Sequence, residues 1–299
     1  MSTRRFRTYH EVGHETGSRI LEQVVQQRQR LADRLRGIRC VIAVLSGKGG
    51  VGKSAITANL AAVLADRGAR VGAVDADLNG PSLARMLGAV DVRLGDAATG
   101  VLPPAGAAGV RVMSMELLQE AADTPLQWQG PEGETFIWRG SAEAASLREF
   151  IADVDWGELD YLLIDVPPGT DKIARLLDLV RPHQVLLVTT PADIARRVVA
   201  RSARLLREAG VESTGIVANM TAYLLPDGAT QPLFTSDGAR TLARDTHLPV
   251  WAELPFDPAF AASTDAGAPY ALSAPASATG TAIGLLADRV ECEPHGRNS

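Results

Sequence analysis

The sequence predicts an α/β fold of three layers, a mostly parallel central sheet covered by helices on both faces. Three observations predict it. Short apolar runs alternate with amphipathic stretches along most of the chain. The runs are apolar at successive positions, which buries both faces of each strand, as happens when crossover helices close a parallel sheet. The first run also leads straight into a glycine-rich loop that opens a helix.

Composition bounds the rest. With 299 residues, 46% apolar and 22% charged, the chain has enough apolar substance for a full core, so a wholly disordered chain is excluded. The length suits one α/β domain or two smaller ones, and we read one domain with an N-terminal arm. Apolar runs such as Val185–Val188 fall far short of the roughly 20 residues of a membrane span. The basic Met1–Arg7 leads into Tyr9-His10-Glu11 rather than an apolar stretch, so no signal peptide is expected. Two cysteines, Cys40 and Cys292, exclude a disulfide framework and fit a reducing, cytoplasmic setting. A net charge of −5 gives no general reason to expect nucleic acid as a partner.

Taken in order, residues 1–39 form a basic, partly helical arm. Ile20, Val24, Leu31 and Leu35 recur at helical spacing between Gly17 and Arg36, which predicts a helix packed on its own domain or, alternatively, one that binds a partner. Residues 40–290 form the main domain. Its strands are the apolar runs Cys40–Leu45, Val71–Val74, Val110–Met113, Tyr161–Ile164, Gln184–Val188, Gly215–Ala218 and Val250–Leu254. Its helices are the amphipathic stretches Lys53–Asp66, Ala142–Ala152, Asp171–Leu179, Ile194–Glu208 and Gly238–Arg244, with a C-terminal helix around Thr281–Val290. Gly95–Gly109, rich in Gly, Ala and Pro, reads as an excursion or hairpin over one edge. The tail, 291–299, reads as disordered.

The chemistry concentrates in one loop. Gly47-Lys48-Gly49-Gly50-Val51-Gly52-Lys53-Ser54 fits G-x-x-x-x-G-K-[ST] between a strand and a helix, the context that confirms a phosphate-binding P-loop. Its glycines let backbone N–H groups turn onto phosphates, and the helix N-terminus adds partial positive charge. Lys53 is expected to reach the β- and γ-phosphates and Ser54 to bind Mg²⁺; Ala55 follows in the first turn. Only three of the 30 basic residues are lysines, Lys48, Lys53 and Lys172, and two of them sit in this loop. A compact ammonium fits among phosphates where a guanidinium does not.

Two acidic segments complete the site. Tyr161–Asp165 is an apolar strand ending in a carboxylate, the Walker B arrangement that holds Mg²⁺ through water. Val74-Asp75-Ala76-Asp77 is another strand ending in acids, and such ends face the ligand crevice of a parallel sheet. Asp75 either positions water or caps the next element. Asp77 is the stronger catalytic candidate.

The second loop lysine, Lys48, makes K-G-G-x-G-K-[ST], the deviant Walker A motif, and the chain resembles the MinD/ParA/nitrogenase-iron-protein class of dimerising ATPases. Within that class it is most similar to the Mrp (ApbC-type) family of iron–sulfur cluster carriers. The matching stretches are Ser46–Ser54, Asp75–Ser82, Val112–Met115, Trp138-Arg139-Gly140, Asp155–Thr170, Thr189-Thr190-Pro191, Asn219-Met220 and Pro255-Phe256-Asp257-Pro258. They stand in family order from about Arg39 to Ala271. The resemblance implies a homodimer enclosing two MgATP and slow, partner-stimulated hydrolysis of ATP to ADP and phosphate. It makes Lys48 a trans-acting lysine, Gly80–Ser82 part of switch I and Pro167–Thr170 part of switch II. Asn219, Pro255, Phe256 and Asp257 would contact adenine. Asn219-Met220-Thr221-Ala222 lacks the N-K-x-D of GTPases, which favours ATP.

The resemblance also implies an iron–sulfur cluster and a client or scaffold protein, and here the sequence departs from it. Family members carry a C-x-x-C pair shortly after Asn-Met, whereas Thr221–Gly228 holds no cysteine, and thiolates are the standard ligands. Cys40 is expected to be a small free core residue and Cys292 incidental. Asp171-Lys172 also stands where Gly-Asp is usual. Two alternatives stay open: a MinD- or ParA-like positioning or partner-switch ATPase, and an ATPase for metalloenzyme maturation. A membrane-bound version is disfavoured because the C-terminal helix offers only Arg289 as a base. A DNA-bound version would have to use the arginines of the arm.

Overall fold

The computed structural model describes residues 18–78, 80–118, 145–211, 213–225, 229–233 and 238–290. Trp138-Arg139-Gly140, Asn79, the start of the helix expected from Ala142 and the tail 291–299 lie outside them. The predicted architecture is present: a seven-stranded, all-parallel sheet between two helical layers. The chain runs α1 (Ser18–Arg36), β1 (Ile38–Ser46), α2 (Lys53–Asp66), β2 (Val71–Asp75), α3 (Leu83–Met86), β3 (Gly95–Ala97), β4 (Gly100–Leu102) and β5 (Arg111–Met113). A helix over 145–152, α4, precedes β6 (Leu159–Asp165), α5 (Thr170–Leu179), β7 (Gln184–Thr189), α6 (Asp193–Glu208) and β8 (Ser213–Ala218). Then come β9 (Ala222–Leu224), β10 (Thr230–Pro232), α7 (Gly238–Thr246), β11 (Val250–Glu253), α8 (Pro258–Asp265), α9 (Tyr270–Ser273) and α10 (Ala278–Arg289).

Strand order is β11-β8-β7-β1-β6-β2-β5, so the strand that leads into the P-loop is the central one. Alternation along it builds the two cores. Cys40, Ile42 and Val44 face the layer of α2, α3, α9 and α10, with Ile56, Leu60, Leu83, Ala271 and Ile283. Val41, Ala43 and Leu45 face α4, α5, α6 and α7, with Ile151, Leu176, Val199 and Leu242. Because β1 is covered on both faces from Cys40 to Leu45, no polar alternation appears over that stretch, which is why the run reads as apolar.

The C-terminal part of α1 packs on this body. Leu31 is buried in the second core. Arg34 Nη1 pairs with Asp155 (3.3 Å), its Nη2 donates to Thr99 O (2.5 Å) and its Nε donates to Ala152 O (3.3 Å). Gly95–Leu102 makes an antiparallel hairpin, β3–β4, whose Val101 bridges Val154 just after α4. One expectation is corrected: Cys40 is fully buried as foreseen but is disulfide-bonded rather than a free thiol. Cys292 lies outside the described residues.

Candidate nucleotide-binding site

The loop between β1 and α2 is built by two glycines in the left-handed region, Gly50 (φ 76°) and Gly52 (φ 82°). Gly52 is also the N-cap of α2 and, lacking a side chain, leaves the helix entrance without a side-chain cap. The first amides of α2 are thereby kept for an anion, with the helix dipole behind them. Gly47 sits under the loop, where a Cβ would come within 3.0 Å of Val198 on α6. Lys48, Gly49 and Gly50 form the exposed crest, while Val51 is buried and Ala55 half-buried in the first turn.

Below the crest the chain's own charges are paired. Lys53 Nζ lies 2.5 Å from Asp165 Oδ1, and Ser54 Oγ donates to Asp165 Oδ2, also at 2.5 Å. The two side chains of the ion pair are 8% and 0% exposed, so neither charge is solvated and each depends on the other. Thr57 Oγ1, one turn on from Lys53, bonds Lys53 O (3.0 Å) and Asp165 Oδ1 (3.2 Å). The structure thus brings together three residues that the sequence assigns to phosphate and metal. Thr57 was missed, although its i+4 spacing from Lys53 puts it on the same helix face.

Asp75 ends β2 directly across the ladder from Asp165. It is 1% exposed. Its Oδ1 accepts from Asp77 N (3.0 Å); its Oδ2 accepts from Ser82 N (2.8 Å), Leu83 N (2.9 Å) and Ser114 Oγ (3.3 Å). Of the two roles left open for it, capping is the one these bonds make. Burial first, then the Asp165 charge, push its carboxyl up to about 7, against the pull of the Leu83, Ser82 and Asp77 amides. Asp77 is half-buried, and its Oδ1 accepts from Gly80 N at 3.2 Å.

On the other side of the loop, Asn219 follows β8. Its Nδ2 donates to Val51 O (2.9 Å) and its Oδ1 accepts from Met220 N (2.9 Å). It is a direct brace of the P-loop, a role its sequence position does not reveal. Asp257 caps α8 through Ala259 N (2.9 Å) and accepts from Thr279 Oγ1 (3.2 Å). Pro255 is half-buried, and Phe256 pairs its backbone with Ala222 and Leu224 of β9. Its ring stacks on Tyr223, centroids 6.0 Å apart. Lys172 stands in the first turn of α5, its Nζ 3.8 Å from Asp171.

The brace makes Gly52 sensitive. A Cβ there would fall well inside contact distance of Asn219 Nδ2, and a left-handed backbone costs an L-residue about 1–2 kcal/mol. Gly52→Ala is therefore expected to lower stability by at least that amount and to weaken ATP binding. Urea unfolding and calorimetric titration check both, and an unchanged midpoint would refute the brace.

A family model described as ParA, NUBPL iron-transfer P-loop NTPase, matches residues 37–291. An iron-sulfur cluster carrier protein of Deinococcus radiodurans is 40% identical over 255 residues, covering 85% of this chain and 69% of its own. The bovine cytosolic Fe-S cluster assembly factor NUBP2 is 35% identical over 266 residues, covering 87% and 94%. Among solved structures, the Archaeoglobus fulgidus nucleotide-binding protein in complex with ADP superposes with a TM-score of 0.67 at 33% identity, over 80% of this chain and 91% of that one.

Proposed function

The chain belongs to the NUBPL-type iron-transfer P-loop NTPase family, and we propose from that premise that it is a MgATP-binding, ATP-hydrolysing homodimer serving iron–sulfur protein assembly in the cytoplasm. The observation that carries the nucleotide part is the Asp165 carboxylate, held at 2.5 Å by both Lys53 and Ser54 under an uncapped helix entrance.

The donor set fits Mg²⁺: a hydroxyl and a carboxylate, hard oxygen ligands, lie side by side beneath the loop. When bound there, the ion would neutralise charge shared by the β- and γ-phosphates. The chain's own residues do the rest. The amides of Gly49, Gly50, Val51, Gly52, Lys53, Ser54 and Ala55 surround the phosphates, with Gly47 setting the loop's base. With nucleotide bound, Lys53 would give up Asp165 for phosphate oxygens, and Asp165 with Ser54 would hold the Mg²⁺. Asp77 orients the attacking water, and the exposed Lys48 reaches the partner's nucleotide. Asn219, Pro255, Phe256 and Asp257 border the adenine. A DNA-bound role has less support, because Arg30, Arg34 and Arg36 of the arm pair with Asp153, Asp155 and Asp33.

The cargo is another matter. The residues present do not fit a bridging iron–sulfur cluster: Cys40 is buried and disulfide-bonded. No cysteine follows Asn219 before Cys292. Among the described residues no group of three or more His, Cys, Asp or Glu could hold a metal ion. In our reading a partner supplies the thiolates and this chain supplies the ATP-driven change of shape. Anaerobic reconstitution of the purified dimer, with reductant, iron and sulfide, is expected to leave no stoichiometric cluster by iron analysis and visible absorption. A full cluster per dimer, lost in Cys40→Ser or Cys292→Ser, would reverse this and make the chain a carrier in its own right.

A further inference from the structure

The cap that Asp75 makes has a consequence for catalysis. The carboxylate is buried across the ladder from Asp165, and each of its oxygens accepts from the loop that follows β2. One oxygen holds the amide of Asp77 at the start of that loop, and the other holds the amides of Ser82 and Leu83 at its end. The same oxygen takes the hydroxyl of Ser114, just beyond β5. Ser82 is the N-cap of α3 but makes no cap with its own side chain, so Asp75 satisfies that helix entrance from outside. A second fastening runs beside it, from Ala76 N to Asp165 O at 2.9 Å.

The loop is therefore closed by one carboxylate that belongs to the strand next to the metal-side carboxylate. Within it, the Asp77 side chain is turned back on Gly80 N. Four donors occupy the two Asp75 oxygens, which leaves this group poorly placed to take a proton from water itself. The geometry points to Asp75 as the positioning residue for hydrolysis: it fixes Asp77 relative to Asp165 and the P-loop by stapling both ends of the 76–83 loop. This rests on the reading of the chain as an ATPase in which Asp77 orients water.

Asp75→Asn keeps the size of the side chain but turns an N–H₂ toward donors it now accepts from, so one end of the staple opens. In the full-length chain, single-turnover hydrolysis at saturating MgATP is expected to fall about 10- to 100-fold, the scale set by misplacing a reacting group by an ångström or less. ATP affinity is expected to hold. The decisive comparison is the double variant Asp75→Asn/Asp77→Asn, which is expected to be no slower than Asp77→Asn alone, because groups acting through one another are not additive. Losses that multiply, or an affinity that falls in step with the rate, would overturn the positioning role. If Asp75→Asn does not fold, Ser114→Ala removes one donor from the same carboxylate. It must then show a smaller loss with the same non-additivity toward Asp77→Asn, and a multiplying loss would again overturn the role. A wild-type chain without ATPase activity would overturn the underlying reading instead, which keeps the two failures apart.

Discussion

Lys53→Ala is expected to lose ATP binding, by about 2–5 kcal/mol or tens- to thousands-fold in Kd, the usual cost of truncating one side of a buried charged contact. Two causes act together. The ammonium is the only lysine charge buried beneath the loop, where the backbone amides offer partial charges alone. Its removal also strands Asp165, 0% exposed, without its counter-ion, and an unpaired buried charge destabilises a fold by about 3–5 kcal/mol. The nucleotide-free variant should therefore melt earlier as well as bind more weakly. Calorimetric titration with MgATP, beside a thermal melt, checks both. Binding equal to wild type in a folded variant would sink the P-loop assignment.

Lys48→Ala is expected to behave in the opposite way, with ATP binding and stability kept while hydrolysis and ATP-dependent dimerisation are lost. The crest that carries Lys48 is exposed, whereas Lys53 and Val51 of the same loop are buried. An exposed lysine on that crest is open to a second subunit, which is the trans role proposed for it. A cation supplied in trans to a transferring phosphoryl group is worth roughly 10³–10⁵ in rate, so the loss should be near complete. Turnover and light scattering with and without ATP are the measurements. Normal turnover with ATP-driven dimers would remove the trans role.

Much of this was legible in the residues, and the reason differs from element to element. The β1–P-loop–α2 unit is local, so Ser46–Asp66 could be read from spacing alone, and the helix bounds Lys53–Asp66 agree with the structure. Strand ends agree less closely: β5 and β11 are each one residue shorter than their apolar runs, whereas β6 begins at Leu159 rather than Tyr161 and β1 at Ile38 rather than Cys40. Those added residues pair with each other, Ile38 with Leu159, a long-range fact that no local pattern carries. For the same reason the brace from Asn219 to Val51 was invisible, as was the staple made by Asp75. Each depends on which strand ends stand side by side. The disulfide at Cys40 was missed because a buried cysteine in an apolar strand looks like any small core residue.

The Asn219–Val51 hydrogen bond joins residues 168 apart in sequence, and the Lys53–Asp165 pair joins residues 112 apart. The central strand is likewise flanked by β6 and β7, both made more than a third of the chain later. Contacts of such long range form late and slowly in folding, since loop closure must precede them. During N-to-C synthesis the glycine loop emerges early, but its acid and one flanking strand follow only by residue 165, the other flanking strand by residue 189 and its brace at residue 219. A half-made chain thus has the phosphate-binding letters without the site. Nucleotide capture becomes a report of completed folding, and ATP present in the cell would stabilise finished molecules while leaving nascent ones untouched.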